Sequence, residues 1–222
     1  MKWLLPVITA WFLVVWSTGQ AVTLTYELRN EDETSMLYIE VQSEGRETVY
    51  RSRMENIEQY YRYEPTVRLM EWRYRNSNND TEYRALRKGA RIELEGRLNG
   101  EEVRTSLELG DQLWLQNSEF GFEEFIESDE KYMDFVFVKP DDISLTRFRV
   151  RKMGTEKIPY QGEEVEALRL KANPPGILAA LWHASYWYSL PDYMFIKYKA
   201  EGAPGLPQTE IELVGRSDNR ER

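Results

Sequence analysis

From Val22 onward the apolar positions recur every second residue. Val22, Leu24, Tyr26 and Leu28 alternate with Thr23, Thr25, Glu27 and Arg29, the pattern of a strand with one dry and one wet face. A polar turn at Asn30 to Glu33 follows, and Leu37, Ile39 and Val41 resume the alternation as far as Gly45. Residues 48–54 predict a third strand. Residues 55–64 carry Ile57, Tyr60 and Tyr61 at helical spacing before Pro65, which leaves their type open. In residues 66–75, Val67 and Leu69 fall on odd positions but Trp72 and Tyr74 on even ones. A strand whose phase slips by one, here near Met70 and Glu71, needs a bulge to keep its apolar set on one face. Ile143 and Leu145 against Phe148 and Val150 repeat the slip. Bulged long strands curl a sheet around a core.

The sharpest local signal is Asn99-Gly100, since both residues tolerate positive φ in a two-residue type I′ hairpin. The turn sets the register. Ile92 faces Leu107, Leu94 faces Thr105 and Gly96 faces Val103 on the dry side, while Arg91–Glu108, Glu95–Arg104 and Arg97–Glu102 pair on the wet side. A second tight turn at Lys88-Gly89 would put Tyr83 opposite Leu94 and Ala85 opposite Ile92. Residues 66–109 thus predict a four-strand meander.

Residues 118–128 predict the helix. Ser118 can cap it, Glu119, Glu123 and Glu124 load the early turns, and Phe122, Phe125 and Ile126 share a face. Residues 132–138 are apolar on both sides, as in a covered strand, and residues 143–153 and 164–171 are further strands. Residues 173–176 break the chain at two prolines, and 177–182 suit one short helical turn. Residues 181–199, rich in tryptophan and tyrosine, read as two strands on a turn at Leu190, Pro191 and Asp192, the hairpin that closes the sheet. A last strand covers 209–214, and 216–222 is a flexible polar tail. The fold class is all-β with minor α: a strongly curved antiparallel sheet or half-barrel packed on one short helix. Residues 22–215 form one domain.

Composition adds a compartment. Lys2 precedes residues 3–16, which are apolar but for Thr9 and Pro6, and small residues allow cleavage after Gly19 or Ala21. Residues 1–19 therefore predict a signal peptide, and the apolar run is too short for the ~20 residues of a stable membrane span. The chain of 222 residues carries a net charge of −9; removing residues 1–19 takes Lys2 and no acid, leaving −10. That acidity disfavours nucleic acid and anionic lipid headgroups as main partners. There is no cysteine, so the fold rests on core burial alone.

Catalytic and cofactor motifs are absent. His183 is the only histidine, no G-x-S-x-G presents a serine, and no calcium loop or glycine-rich phosphate loop occurs. Acid pairs such as Glu123-Glu124, Asp141-Asp142 and Glu163-Glu164 are adjacent, which in a strand sends them to opposite faces. Asn79 begins a glycosylation sequon in a turn. No metal ligand set, catalytic residue or cofactor is assigned. The remaining candidates are aromatic: Trp72, Trp114, Phe122, Phe125, Trp182, Tyr186, Trp187 and Tyr188, either the wall of a site for a hydrophobic ligand or simply the core.

The stretch from Tyr186 to Tyr198, followed by Pro204 to Leu213, resembles the end of uncharacterised bacterial periplasmic proteins. Their architecture is similar to that of the LolA/LolB-type lipoprotein carriers. That resemblance implies a half-barrel around a helix, a hydrophobic or lipid-like ligand in the concave face, a periplasmic or secreted location and no catalytic residues. The expected function is non-enzymatic binding. A cell-envelope interaction module with an envelope protein as partner is the alternative, and a carbohydrate-active enzyme the remote one.

Overall fold

The computed structural model describes residues 21–30, 33–64, 68–116, 119–176, 179, 181–202 and 208–219. The signal peptide, Ser118 and residues 220–222 lie outside them, as does half of the expected turn at 177–182. Eight strands form a first meander: β1 (Ala21–Asn30), β2 (Glu33–Glu44), β3 (Glu47–Met54), β4 (Ile57–Tyr63), β5 (Leu69–Asn76), β6 (Thr81–Lys88), β7 (Arg91–Leu98) and β8 (Glu101–Glu108). The two-residue β9 (Leu113–Trp114) and the helix α1 (Glu123–Glu127) lead to a second: β10 (Tyr132–Val138), β11 (Leu145–Tyr160), β12 (Glu163–Asn173), β13 (Trp182–Ser189), β14 (Phe195–Gly202) and β15 (Thr209–Asn219). All fifteen belong to one sheet, in the order β8 to β1, then β15 back to β9. The all-β class with one short helix is therefore what the protein has.

The order forces the sheet to roll. Strands β8 and β9 are its two edges, yet only residues 109–112 separate them in the chain. In a flat sheet fourteen spacings of about 4.8 Å would set these edges roughly 67 Å apart. The link from Glu108 to Leu113 can span at most about 18 Å. The far meander ends meet accordingly: the Tyr83 hydroxyl of β6 donates to the Pro140 carbonyl beyond β10, at 3.3 Å. This explains why β10 is apolar on both sides, with Phe135, Val136 and Val138 all buried.

Pairing follows the alternation. The Asn99-Gly100 hairpin has the expected register at all six predicted pairs, and both turn residues have positive φ. Met70 is the predicted bulge, skipped between Arg62–Glu71 and Tyr63–Leu69. Gly96 stands where Tyr83 crosses it at φ +148, and a Cβ there would overlap the Glu82 carbonyl and the Tyr83 backbone.

Several expectations are corrected. The β6–β7 turn is Gly89-Ala90 rather than Lys88-Gly89, so Ala85 faces Leu94 and Tyr83 faces Gly96. The shift is two residues, which preserves the faces; the Ala90 carbonyl accepts from the amides of Leu109 and Gly110. Residues 57–63, whose type the spacing leaves open, are strand. Tyr60 lies on the wet face beneath Arg73, 4.7 Å from its ring, which gave the segment its helical look. The second expected bulge is absent, since residues 145–151 pair with β10 without a shift; the bulge of β11 lies at Met153, between Lys152 and Gly154. The aromatic hairpin β13–β14 sits mid-sheet, because the seam that joins the two meanders is β1 with β15. That seam also extends β15 through residues 216–219, expected to be tail, since residues 21–24 of β1 offer open backbone donors and acceptors.

Two polar devices hold the roll. On the wet face Glu71 is buried beneath Arg62, Arg73 and Arg84, at 3.3, 2.7 and 2.7 Å. Burial pushes its carboxyl upward, but hydrogen bonds from Arg84 and Arg73 outweigh this and leave it below the usual range. At the β9 edge the buried Gln116 replaces the missing strand. Its Oε1 accepts from the Val138 amide at 3.0 Å and from Trp114 Nε1 at 3.1 Å, while its Nε2 donates to the Val138 carbonyl at 2.7 Å. Gln116→Leu leaves all three groups buried and unpaired, so it should cost at least about 2 kcal/mol in urea unfolding. A change within experimental error would show that the side-chain amide does not complete the edge.

Candidate functional site: the filled interior of the roll

The chain leaves β9 and passes inside the roll, so residues 119–127 fill it. Phe120 stacks on Tyr50 of β3 at 4.6 Å, and Phe122 meets Phe135 of β10 and Tyr186 of β13 at 5.5 and 5.4 Å. The Lys152 ammonium of β11 lies 4.9 Å from the Phe125 ring and donates to the Ser128 carbonyl. The helix itself is slight. Five residues long, it begins at Phe122 with no side-chain cap, shorter than residues 118–128 because Phe120 turns outward to Tyr50 and Gly121 weakens the helical run. A one-turn helix has no stability of its own; packing holds it.

The aromatic candidates divide. Phe122, Phe125, Tyr186 and Tyr188 meet in the interior, all buried. Trp72 packs on Tyr74 and Tyr83 along the inner side of β5 and β6 and donates to Gln59 at 3.1 Å. Trp114 belongs to the edge, held by Gln116. Trp182 lies at the start of β13 against Phe148 of β11, 5.6 Å away. Trp187 points to the opposite face, beneath Arg169, and donates to Glu156 at 2.6 Å. His183 is paired across β13 and β14 with Glu201, Nε2 to Oε2 3.0 Å. Among the described residues no group of three histidines and carboxylates could hold a metal ion.

Sequence reasoning missed the acids of the filling segment. Glu119 and Glu123 are not solvated first-turn residues. Their charges act on a ring of phenols: Tyr26, Tyr61, Tyr63, Tyr188 and Tyr198 for Glu119, and Tyr50, Tyr63 and Tyr188 for Glu123. One Glu123 carboxyl oxygen and the Tyr63 hydroxyl are closed off from solvent with no hydrogen-bond partner. Burial raises the Glu119 carboxyl, against a slight pull from its own backbone amide. It raises Glu123 to about 7, with Glu124 and Glu127 adding to the rise. Nothing local in the sequence marks them, because Glu119 and Glu123 are four apart and would share one wet face of a helix.

Depressions lie outside the filling as well. A broad trough of about 1440 Å³ crosses the wet face of β2 to β8 and is lined by arginines and glutamates of facing strands. A cavity of about 710 Å³ lies beside Phe135, Phe148 and the chain at Asn173 to Gly176.

With this geometry the fold can be compared. A β-barrel-like protein of the domain of unknown function DUF1849 from Brucella abortus superposes with a TM-score of 0.62 at 10% identity, over 90% of this chain and 98% of that one. The chain shares its β-barrel-like fold. The resemblance to uncharacterised bacterial proteins expected from the aromatic stretch is thus borne out at the level of fold. Weaker likenesses are to the hypothetical lipoprotein YmcC from Escherichia coli, TM-score 0.40 at 11% identity over 86% of both chains. Another is to the LolA superfamily protein NE2245 from Nitrosomonas europaea, 0.26 at 9% over 92% and 88%. No family model matches the sequence, and no curated protein matches it.

The buried acids make stability depend on pH. Below the ordinary carboxylate value near 4.5, folded and unfolded chains both hold the Glu123 proton. Between that value and about 7 only the unfolded chain gives it up, so stability falls as pH rises through this window and stays low above it. Glu123→Gln should therefore raise the melting temperature at pH 8 by about 2 °C or more, the shift of roughly 1 kcal/mol in a chain of this size, and change little at pH 4. An equal effect at both pH values would contradict the buried carboxyl.

Proposed function

We propose that the protein is a non-enzymatic, exported binding protein that takes a hydrophobic, lipid-like ligand into the interior of its roll. The observation that carries this reading is the filling itself. The inner wall is aromatic, and what occupies it is one short segment with a single helical turn. That segment brings a buried carboxyl oxygen without a partner into an apolar space, at a cost that outward movement into water would relieve. Rolled sheets enclose ligands in the same way when their interior is not filled by side chains. The apolar run of residues 3–16 supports export to the periplasm or beyond, and no helix among the described residues is long and apolar enough to cross a membrane.

The test is extraction of the protein, purified from cells without detergent, into organic solvent, with mass spectrometry of the extract and titration with an apolar fluorescent probe. Stoichiometric lipid or saturable probe uptake is expected; neither would be seen if the interior is permanently closed. Phe120→Ala removes the stack on Tyr50, worth about 0.5–1.5 kcal/mol to the filled state. It should tighten apparent probe binding about 2- to 10-fold by raising the population of the open state. Unchanged or weaker binding by this variant would count against a displaceable filling.

A further inference from the structure

The cavity of about 710 Å³ joins two chemistries that the interior alone does not. Its apolar side is Phe135 and Phe148, stacked on each other at 5.6 Å. Phe135 touches Phe122 of the filling at 5.5 Å, so the cavity borders the space the filling occupies. Its polar side is Arg147, Arg149 and Arg151, alternate residues on the face of β11 opposite Phe148; β12 ends at Asn173, opposite Arg149, so residues 145–148 have no strand on that side and the cavity is lined from both faces at this gap. Asp134 is the single acid among the described lining residues, and Arg149 holds both of its oxygens at 2.6 Å. Arg147 and Arg151 are exposed and form no ion pair among the described residues. The lining thus has two cations to spare in a chain whose net charge is −9. Its volume is within the ~300–1,000 Å³ of ordinary ligand sites.

We propose that this cavity receives the anionic head of an amphiphile, with Arg147 and Arg151 as the head-binding pair and the chain running past Phe135 and Phe148 toward Phe122. The inference rests on the hydrophobic-ligand reading and adds the ligand's charge to it. Guanidinium forks suit carboxylate and phosphate oxygens alike. An overall acidic surface would otherwise repel such a ligand, so a local basic rim selects where it docks.

The test is calorimetric titration of the full chain, below micelle-forming concentrations, with dodecanoate, dodecyl phosphate, dodecanol, acetate and inorganic phosphate. Dodecanoate and dodecyl phosphate should bind at least tenfold tighter than dodecanol, more weakly as salt rises, and acetate and inorganic phosphate should bind far more weakly than either. The paired substitution Arg147→Gln and Arg151→Gln, both at exposed positions, should abolish the preference while leaving dodecanol binding unchanged. Equal binding of dodecanol and dodecanoate by the unsubstituted protein would overturn the head-group assignment and leave the hydrophobic-ligand reading standing. So would a preference that survives the double substitution. Inorganic phosphate binding as tightly as dodecyl phosphate would replace the amphiphile with a free anion. Failure of all three dodecyl compounds to bind would overturn both readings.

Discussion

Four residues, 109–112, join the opposite edges of a fifteen-stranded sheet, and most of the structure follows from that shortness. The sheet has to roll until β8 and β9 are neighbours in space. Rolling gives β10 two covered faces, which accounts for the burial of Phe135, Val136 and Val138 on both of its sides. It also decides where the chain goes next. Having reached the second edge, residues 119–127 pass inside the roll rather than over it, and Phe120 and Phe122 reach walls as distant in sequence as Tyr50 and Tyr186.

A roll filled by its own side chains would be only a core. This one is filled by a loop and one helical turn, and the filling brings two carboxyls, both raised by burial, among phenols that burial likewise raises. Segments with few backbone hydrogen bonds of their own sit at the low end of local stability. The strands around it are locked instead, by the β1–β15 seam, by the Glu71 arginine cluster and by Gln116 at the edge. A rigid aromatic wall around a weakly held occupant is the physical basis of the binding function proposed. The arginines of β11 beside Phe148 extend the same logic from shape to charge.

How much of this the sequence shows depends on distance along the chain. Asn99-Gly100 sets the register of β7 and β8 because a two-residue turn leaves no freedom, and Met70 betrays its bulge by a break in parity. At Gly89 a turn one residue either way is open to the sequence, because it shifts the register by two and keeps every side chain on its face. Long-range facts were hidden. Nothing local says that β1 pairs with β15, and without that pairing neither the mid-sheet position of the aromatic hairpin nor the strand at residues 216–219 is legible. Parity alone separates Trp187 from Tyr186 and Tyr188, but it does not say which face is inside. Glu119 and Glu123 read as solvated because acids at a helix start usually are; only the rolled sheet puts phenols around them.

The central claim is that residues 119–127 are a displaceable filling inside a rigid roll. Native-state hydrogen exchange resolved along the chain measures this directly. The account predicts that amides of residues 119–127 exchange much faster than those of β1, β13 and β15, by local opening, and that an apolar ligand changes their protection while leaving the seam strands unaffected. Protection of the filling equal to that of the seam, lost only in global unfolding and unaltered by apolar ligand, would contradict it.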